Sequence, residues 1–221
     1  AVYIASPHGT HYTYAKQALL CGKHVLCEKP MCLEGKQAAK LFELAREKKL
    51  ILMEAIKTAY CPGFQGILKL IEQGKIGVVH DVEACFTRLG NVSQREVWDL
   101  ECGGSYTEFG TYSLLPIVKL LGTESQESYF WSLPAGNGVD AYTKATIAYE
   151  RGIATAKTGI GVKSEGQLIV AGSRGYILVQ SPWWLTKHVE VHYEDPNHVE
   201  VYEYPYEGSG LRYELTSFIK R

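Results

Sequence analysis

The chain has 221 residues, of which 46% are hydrophobic and 21% are charged, as in an ordinary globular protein. Its 23 basic and 24 acidic residues leave a net charge of −1, so there is no basic field to attract a nucleic-acid backbone. No apolar run reaches the roughly 18 residues that cross a bilayer, and no basic segment precedes an apolar one at the N-terminus. We therefore expect a cytoplasmic protein without nucleic-acid or membrane partners.

The cysteines and histidines were considered as a metal or disulfide framework. Six scattered cysteines lack the density of a disulfide scaffold, which predicts free thiols. The residue types and spacings of His8, His11, Cys21, His24 and Cys27 are similar to those of a zinc site. However, His24 and Cys27 are three apart in a predicted strand, so they point to opposite faces of it. We expect no metal.

The first 54 residues alternate between buried strands and amphipathic helices. The strand-like runs are AVYIASP, HVLCEKP and LILMEA. The helical segments between them are HYTYAKQALLCG, with Tyr14, Ala18 and Cys21 on one face, and LEGKQAAKLFELAREKKL. Strands that alternate with helices in this way predict a parallel sheet with right-handed crossovers.

The pattern changes after residue 55. Pro62 begins a predicted helix that ends near Gly74, and a β-rich region starts at Val78. A second helix begins near Gly103 and Gly104, and a closing helix begins at Leu211. Strand-like runs lie between these helices near 126–133, 139–149, 152–162, 166–172, 175–180, 187–194 and 199–204. They predict a large, mainly antiparallel open sheet with one face covered.

Three stretches of the sequence carry a family likeness. Residues 2–31 read as a strand, a Ser-Pro step, a His, a helix and GKHVLCEKP. Residues 62–82 begin PGFQGILKLIEQGKIG, and residues 98–122 contain GGSYTEFGTY. Together they resemble the Gfo/Idh/MocA oxidoreductases, the glucose-fructose oxidoreductase and inositol dehydrogenase family. The likeness continues to GSGLRYELTSFIKR, which in the family is a helix that packs back toward the cofactor domain.

The resemblance implies a fold of the α/β plus α+β class. Residues 1–57 would form the C-terminal half of a Rossmann-type parallel sheet, and residues 58–208 a substrate and dimerisation domain with the large open sheet. Residues 209–221 would form the C-terminal helix. We expect the open sheet to pair with a second copy, giving a homo-oligomer, because its apolar face would otherwise be exposed to solvent.

The implied activity is hydride transfer between NAD or NADP and a hydroxyl or carbonyl carbon of a sugar, polyol or diol-like substrate. Such chemistry needs a base beside the nicotinamide, and Lys29 at the end of a predicted strand fits that role. Glu108 and Tyr112 are four apart, so they project from one helical face toward it. The family most often has Asp and His there. Tyr occurs in the dihydrodiol dehydrogenase branch, and Tyr112 as a plain core aromatic is the alternative.

Other positions follow by analogy with the family. The nicotinamide side of the site would be lined by Ser6, Pro7, His8, His11, Glu28, Lys29 and Pro30, the last commonly after a cis peptide bond. Glu28 would contact the cofactor or orient Lys29, while His11 could equally cap a helix. Candidate substrate contacts are Lys57, Tyr60 and Trp98; a surface role for the first two and a core role for Trp98 are the alternatives.

The glycine-rich G-x-G-x-x-G turn with which the family begins is not found in this sequence. We therefore expect a fragment that lacks about 60 residues of dinucleotide-binding fold, the length of two βαβ units. Two functions of different class remain. One is the NAD(P)-dependent oxidoreductase, which the intact Glu28-Lys29-Pro30 favours; the other is a cofactor-free binding or assembly module, which Glu108 favours.

Overall fold

The computed structural model describes residues 1–91 and 96–221. Its first part is a small sheet of three strands, β1 (Val2–Ile4), β2 (Val25–Glu28) and β3 (Leu52–Ala55), paired in parallel in the order β1-β2-β3. Helices α1 (His11–Leu20) and α2 (Gly35–Glu47) connect these strands. The predicted alternation of strand and helix is confirmed.

The two faces of the small sheet are covered by different helices. Ile4, Val25 and Cys27 pack with Ala15 and Leu19 of α1 and with Leu41 and Ala45 of α2. On the opposite face, Leu26, Met53 and Ala55 pack against Phe218 of the last helix, α6 (Leu211–Ile219). The end of the chain thus returns to the sheet that begins it.

The predicted face of α1 is wrong by one residue. Tyr14 and Cys21 are exposed, whereas His11, Ala15 and Leu19 form the buried face. The helix is rotated this way because the His11 ring is fixed between two backbone carbonyl oxygens, those of Ser6 and Pro30. This polar anchor outweighs the burial of a tyrosine and a cysteine that look apolar in the sequence.

The second part of the chain forms an eight-stranded sheet in the order β11-β10-β9-β8-β4-β7-β6-β5. Its strands are β4 (Val79–Thr87), β5 (Glu127–Pro134), β6 (Asp140–Tyr149), β7 (Gly152–Gly159), β8 (Leu168–Gly172), β9 (Gly175–Val179), β10 (His188–Tyr193) and β11 (Val199–Glu203). Only the β4–β7 pair among these is parallel. The predicted fold class, a small parallel sheet followed by a large, mainly antiparallel open sheet, is confirmed.

Helices cover one face of the large sheet. A short helix α3 (Lys57–Tyr60) leads into α4 (Pro62–Glu72), and α5 (Ser105–Leu121) packs across β4, β6 and β7. Trp183, which is fully buried, donates a hydrogen bond from its indole N–H to the Cys85 carbonyl at 2.9 Å, so it belongs to this core. On the other face Ile153, Tyr176 and Val201 are exposed, and all of β5 is exposed.

No helix within residues 1–91 and 96–221 is both long enough and apolar enough to cross a membrane.

Candidate functional site

The end of β2 faces the middle of α5. Lys29 follows the last residue of β2, and its ammonium donates hydrogen bonds to Glu108 Oε1 at 2.7 Å and to the Glu108 backbone carbonyl at 2.8 Å. The same nitrogen lies 5.9 Å from the centre of the Tyr112 ring. The Lys29–Pro30 peptide bond is cis, as the resemblance implies. The structure therefore brings the three predicted catalytic residues together.

The position of α5 is set by Asp140, at the start of β6. One carboxylate oxygen of Asp140 accepts hydrogen bonds from Ser105 Oγ at 2.6 Å, from the Tyr106 backbone N–H at 2.9 Å and from Thr143 Oγ1 at 2.8 Å. A carboxylate at a helix N-terminus satisfies unpaired N–H groups and is favoured by the helix dipole. Asp140 thus fixes the helix that carries Glu108 and Tyr112.

Gly104 is required by the same contact. Its φ is +97°, and a Cβ built there would lie 2.0 Å from the other oxygen of Asp140. Only glycine combines that backbone conformation with so close an approach. Gly104 was visible in the sequence, but its partner Asp140 is 36 residues further along the chain and has no local signal.

Tyr112 is both a core residue and a residue of the site. Its ring stacks on Phe86 with the centroids 4.9 Å apart, and its side chain is 9% exposed. Burial raises the pKa of Tyr112 well above its ordinary value, and the nearby carboxylates of Glu28, Glu214 and Glu108 raise it further. The phenol therefore stays protonated near neutral pH and can donate a hydrogen bond.

His8 extends the ion pair on the side of β1. It follows β1 in a short 3-10 turn (His8–Thr10), and its Nε2 lies 3.6 Å from Glu108 Oε2. The His8 backbone N–H donates to Glu96 Oε1 at 2.5 Å, and the His8 Nδ1 lies 3.7 Å from the same oxygen. Sequence reasoning missed Glu96, which lies in an irregular stretch between β4 and α5.

His11 connects the ends of two neighbouring strands. Its Nδ1 lies 2.8 Å from the Pro30 carbonyl oxygen and its Nε2 lies 2.7 Å from the Ser6 carbonyl oxygen. The α1 N-cap is Thr10, with no side-chain capping bond. The alternative that His11 caps the helix is therefore wrong; its fully buried ring holds the Ser6-Pro7 turn against the cis-proline turn.

Two cavities meet at the Lys29–Glu108 pair. One, of about 580 Å³, is walled by Phe86, Phe109 and Trp184, and we call it the aromatic cavity. The other, of about 460 Å³, is lined by residues after β1 and β2, and we call it the histidine cavity. Its lining comprises Ala5, Ser6, His8, His11, Glu28, Lys29, Glu96, Val97 and Glu108. Lys29 and Glu108 line both cavities, so a ligand in either one would contact this pair.

The predicted substrate contacts are not all at the aromatic cavity. Lys57 lines it. Tyr60 instead lines a groove of about 950 Å³ between β3, α3 and α6. Trp98 packs against Gly90 and donates its indole N–H to the Asn91 carbonyl at 3.1 Å, before the start of α5.

Two further carboxyl groups lie close to the site, the half-buried Glu28 at the end of β2 and the buried Glu214 on α6. Glu28 accepts a hydrogen bond from the Tyr3 hydroxyl. Glu214, on α6, is 1% exposed, and its Oε2 has no hydrogen-bond partner in the part of the chain that the structure describes. Burial, together with the Glu28 carboxylate, raises the pKa of Glu214 to about 7, against the opposing effect of Lys57. Sequence reasoning missed Glu214, since a glutamate in an amphipathic helix looks like a solvated residue.

No group of three or more His, Cys, Asp or Glu side chains among the described residues is arranged to hold a metal ion.

Comparisons with known proteins show that the chain is similar to oxidoreductases. Residues 1–56 match a family model, GFO_IDH_MocA, described as an oxidoreductase family with an NAD-binding Rossmann fold. The chain is 29% identical to trans-1,2-dihydrobenzene-1,2-diol dehydrogenase of Sus scrofa over 82% of this chain and 55% of that enzyme. It is 28% identical to scyllo-inositol 2-dehydrogenase (NADP(+)) IolU of Bacillus subtilis, over 99% of this chain and 68% of that enzyme.

A solved structure shares the fold. The 3-ketoreductase KijD10 of Actinomadura kijaniata, in complex with NADP and TDP-benzene, superposes with a TM-score of 0.84 at 23% identity. The match covers 100% of this chain and 69% of that one. This chain therefore spans a little over half the length of the porcine relative and about two thirds of the other two.

Proposed function

Because this chain belongs to the Gfo/Idh/MocA family of oxidoreductases, we propose that it acts in hydride transfer between NAD or NADP and a small substrate. The reacting centre is a hydroxyl or carbonyl carbon of a sugar, polyol or diol-like molecule. The observation that carries the proposal is the pair of cavities that meet at Lys29 and Glu108. Hydride transfer requires a cofactor and a substrate in contact beside one titratable group, and this geometry provides a cavity for each of them at Lys29.

The histidine cavity fits the nicotinamide end of a cofactor. It lies at the carboxyl ends of β1 and β2, where parallel α/β sheets bind ligands. Its acidic side chains, Glu28, Glu96 and Glu108, suit an oxidised nicotinamide ring, which is a cation. A bound nicotinamide would supply the hydride acceptor or donor. Ser6, Pro7, His8, Glu28 and Pro30 are the residues of this chain that would hold it, with His11 fixing two of their backbone segments.

Lys29, Glu108 and Tyr112 have separate roles in this proposal. In the oxidative direction, the substrate hydroxyl gives its proton to the Lys29 amine, and the ammonium so formed is stabilised by Glu108 at 2.7 Å. Tyr112, held protonated by its raised pKa, donates a hydrogen bond to the substrate oxygen. His8, 3.6 Å from Glu108, extends the chain of titratable groups toward the histidine cavity.

The open sheet is proposed as the contact surface of a homo-oligomer. Its uncovered face presents Ile153, Tyr176 and Val201, and the edge strand β5 adds exposed Phe130 and Trp131. Burying these apolar side chains against a second copy would remove them from water. Sedimentation at micromolar concentration tests this, and a monomer would contradict it.

Two further assignments belong to the same proposal. The chain divides into a dinucleotide-binding part (1–57), a substrate and dimerisation part (58–208) and a closing helix (209–221). This division is supported by the separate cores of the small and large sheets and by the packing of Phe218 on the small one. A cytoplasmic location is supported by six unpaired cysteines.

One observation favours the second candidate, a cofactor-free binding or assembly module. Both hydrogen bonds of the Lys29 ammonium are to Glu108, so the amine is engaged with a carboxylate rather than open to a hydroxyl proton. In this reading Lys29 and Glu108 only join β2 to α5. The two candidates differ in whether Lys29 affects chemistry or stability alone.

Replacing Lys29 by Met in the natural polypeptide that contains this sequence separates the candidates. We expect NAD(P)-dependent oxidation of the best substrate in a sugar and polyol panel to fall by about 100-fold or more at saturation, the scale of losing a general base. Cofactor affinity should change little. Lys36→Met, at an exposed position of α2, is the matched control. Turnover within threefold of the parent, with a loss of stability only, would support the assembly module instead.

A further inference from the structure

The aromatic cavity has an excess of positive charge. Its lining includes four basic side chains, Lys29, Lys57, Arg88 and Lys163, and one acidic side chain, Glu108. Glu108 is already paired with Lys29 at 2.7 Å. Three cations therefore face the cavity without a carboxylate in its wall, which is unusual for a site that takes only neutral polyols, since like charges repel in the absence of a counter-ion.

Among the described residues, none of these three cations forms an ion pair with a carboxylate, so each is available to a ligand. The Lys163 ammonium donates to the Ser164 carbonyl at 2.7 Å and lies 3.4 Å from Thr87 Oγ1, and both of these partners are neutral. The nearby Glu165 pairs with Lys157 instead. Glu214 interacts electrostatically with Lys57, but its carboxyl group is only partly ionised near neutral pH because burial raises its pKa to about 7.

The cavity also has an apolar wall, formed by Phe86, Phe109 and Trp184. Phe86 stacks on Phe109 with ring centroids 4.4 Å apart and on Trp184 with centroids 3.7 Å apart. Such a surface packs well against the C–H face of a sugar ring. The cavity therefore combines an aromatic wall with a cluster of cations, and the half-buried Lys29 lines it as well.

Resting on the proposed function, we propose that the substrate of this site is a sugar or polyol that carries an anionic group, either a carboxylate or a phosphate. The ring lies against the aromatic wall, where Trp184 is the half-buried member, with its reacting hydroxyl toward Lys29. The anionic group lies toward Arg88 and Lys163, which are exposed at the mouth of the cavity, and toward the half-buried Lys57. Arg88 presents the planar fork that matches carboxylate and phosphate oxygens.

Binding is measured by calorimetry at low ionic strength on the natural polypeptide that contains this sequence, with glucose, glucuronate and glucose 6-phosphate as probes. We expect one or both anionic sugars to bind about tenfold or more tightly than glucose, since several screened charge pairs are available to the anion and none to glucose. Arg88→Ala and Lys163→Ala should each weaken the anionic sugar about fivefold and leave glucose unchanged within twofold. Lys36→Ala, an exposed lysine on α2, should change neither.

The two anionic arms identify the group. A preference for glucuronate alone indicates a carboxylate, and a preference for glucose 6-phosphate alone indicates a phosphate. Glucose binding as tightly as both anions, or Arg88→Ala and Lys163→Ala behaving like Lys36→Ala, would overturn the inference. Nicotinamide reduction is recorded separately. An anionic preference without reduction of NAD or NADP would support the anion site and refute the proposed hydride transfer. Reduction of NAD or NADP by neutral sugars alone would support the hydride transfer and refute the anion site.

Discussion

Replacing Glu214 by Gln should remove a pH-dependent component from the free energy of unfolding. Glu214 is 1% exposed on α6, with Glu28 on β2 and Lys57 on α3 as its charged neighbours and the phenols of Tyr3, Tyr60, Tyr112 and Tyr206 around it. Burial raises its pKa to about 7 in the folded protein, from an ordinary 4.5. The folded state therefore holds a proton that the unfolded state releases at lower pH.

The sign and size follow from that difference. Between pH 4.5 and about pH 7, the folded protein binds more protons than the unfolded chain at this residue, so its stability falls as the pH rises. Above pH 7 this contribution is constant. At about 1.4 kcal/mol for each unit of pKa, the full loss is on the order of 3 kcal/mol. Glutamine has the shape of the neutral acid and does not titrate, so the variant lacks this loss.

Urea unfolding of the parent and of Glu214→Gln at several values between pH 5 and pH 8.5 measures the difference. We expect equal stability within about 0.5 kcal/mol at pH 5, and a variant that is more stable by roughly 2–3 kcal/mol at pH 8.5. Glu47→Gln, at an exposed position of α2, should keep the parent's pH dependence. Parallel curves for parent and Glu214→Gln would refute the assignment of a neutral carboxyl to this position.

Three other changes have expected outcomes. Tyr112→Phe should lower turnover about 10-fold or more at saturating substrate while changing stability little, because the ring stack remains and only the hydroxyl donor is lost; unchanged turnover would remove Tyr112 from the reaction. Asp140→Ala should lower the free energy of unfolding by about 2–4 kcal/mol, because two donors at the start of α5 and the Thr143 hydroxyl of β6 lose their acceptor, and a change below 0.5 kcal/mol by urea unfolding would contradict this. Gly66→Ala should lower the melting temperature by several degrees, since its Cβ would lie 2.2 Å from the Tyr204 ring, whereas Gly35→Ala, where no atom lies within 4 Å of the new Cβ, should not.

The elements that the sequence revealed are those with strong local signals. The strands before residue 55 are continuous apolar runs, and the Glu28-Lys29-Pro30 step ends one of them with charges and a proline. The four-residue spacing of Glu108 and Tyr112 fixed their common face once α5 was recognised, because helical geometry dictates it. The outline of the fold and the proximity of Lys29, Glu108 and Tyr112 could therefore be predicted.

The residues that support this trio could not be predicted in the same way. Asp140 and Glu96 contact the site through pairings of distant segments, and a lone carboxylate in a strand or loop carries no sign of its partner. The rotation of α1 was missed because His11 looks polar, although its ring is fully buried between two carbonyl oxygens. Local periodicity ranks residues by polarity and cannot register a buried polar anchor of this kind.

Because the Lys29–Glu108 pair lines both cavities, the binding of the two proposed ligands would be thermodynamically coupled. A ligand in the aromatic cavity that draws the Lys29 ammonium away leaves an uncompensated Glu108 carboxylate facing the histidine cavity. A cationic ligand there would then bind more tightly, and by linkage it must strengthen the first ligand by the same factor. Heterotropic cooperativity between the two proposed ligands would thus depend on a single 2.7 Å contact.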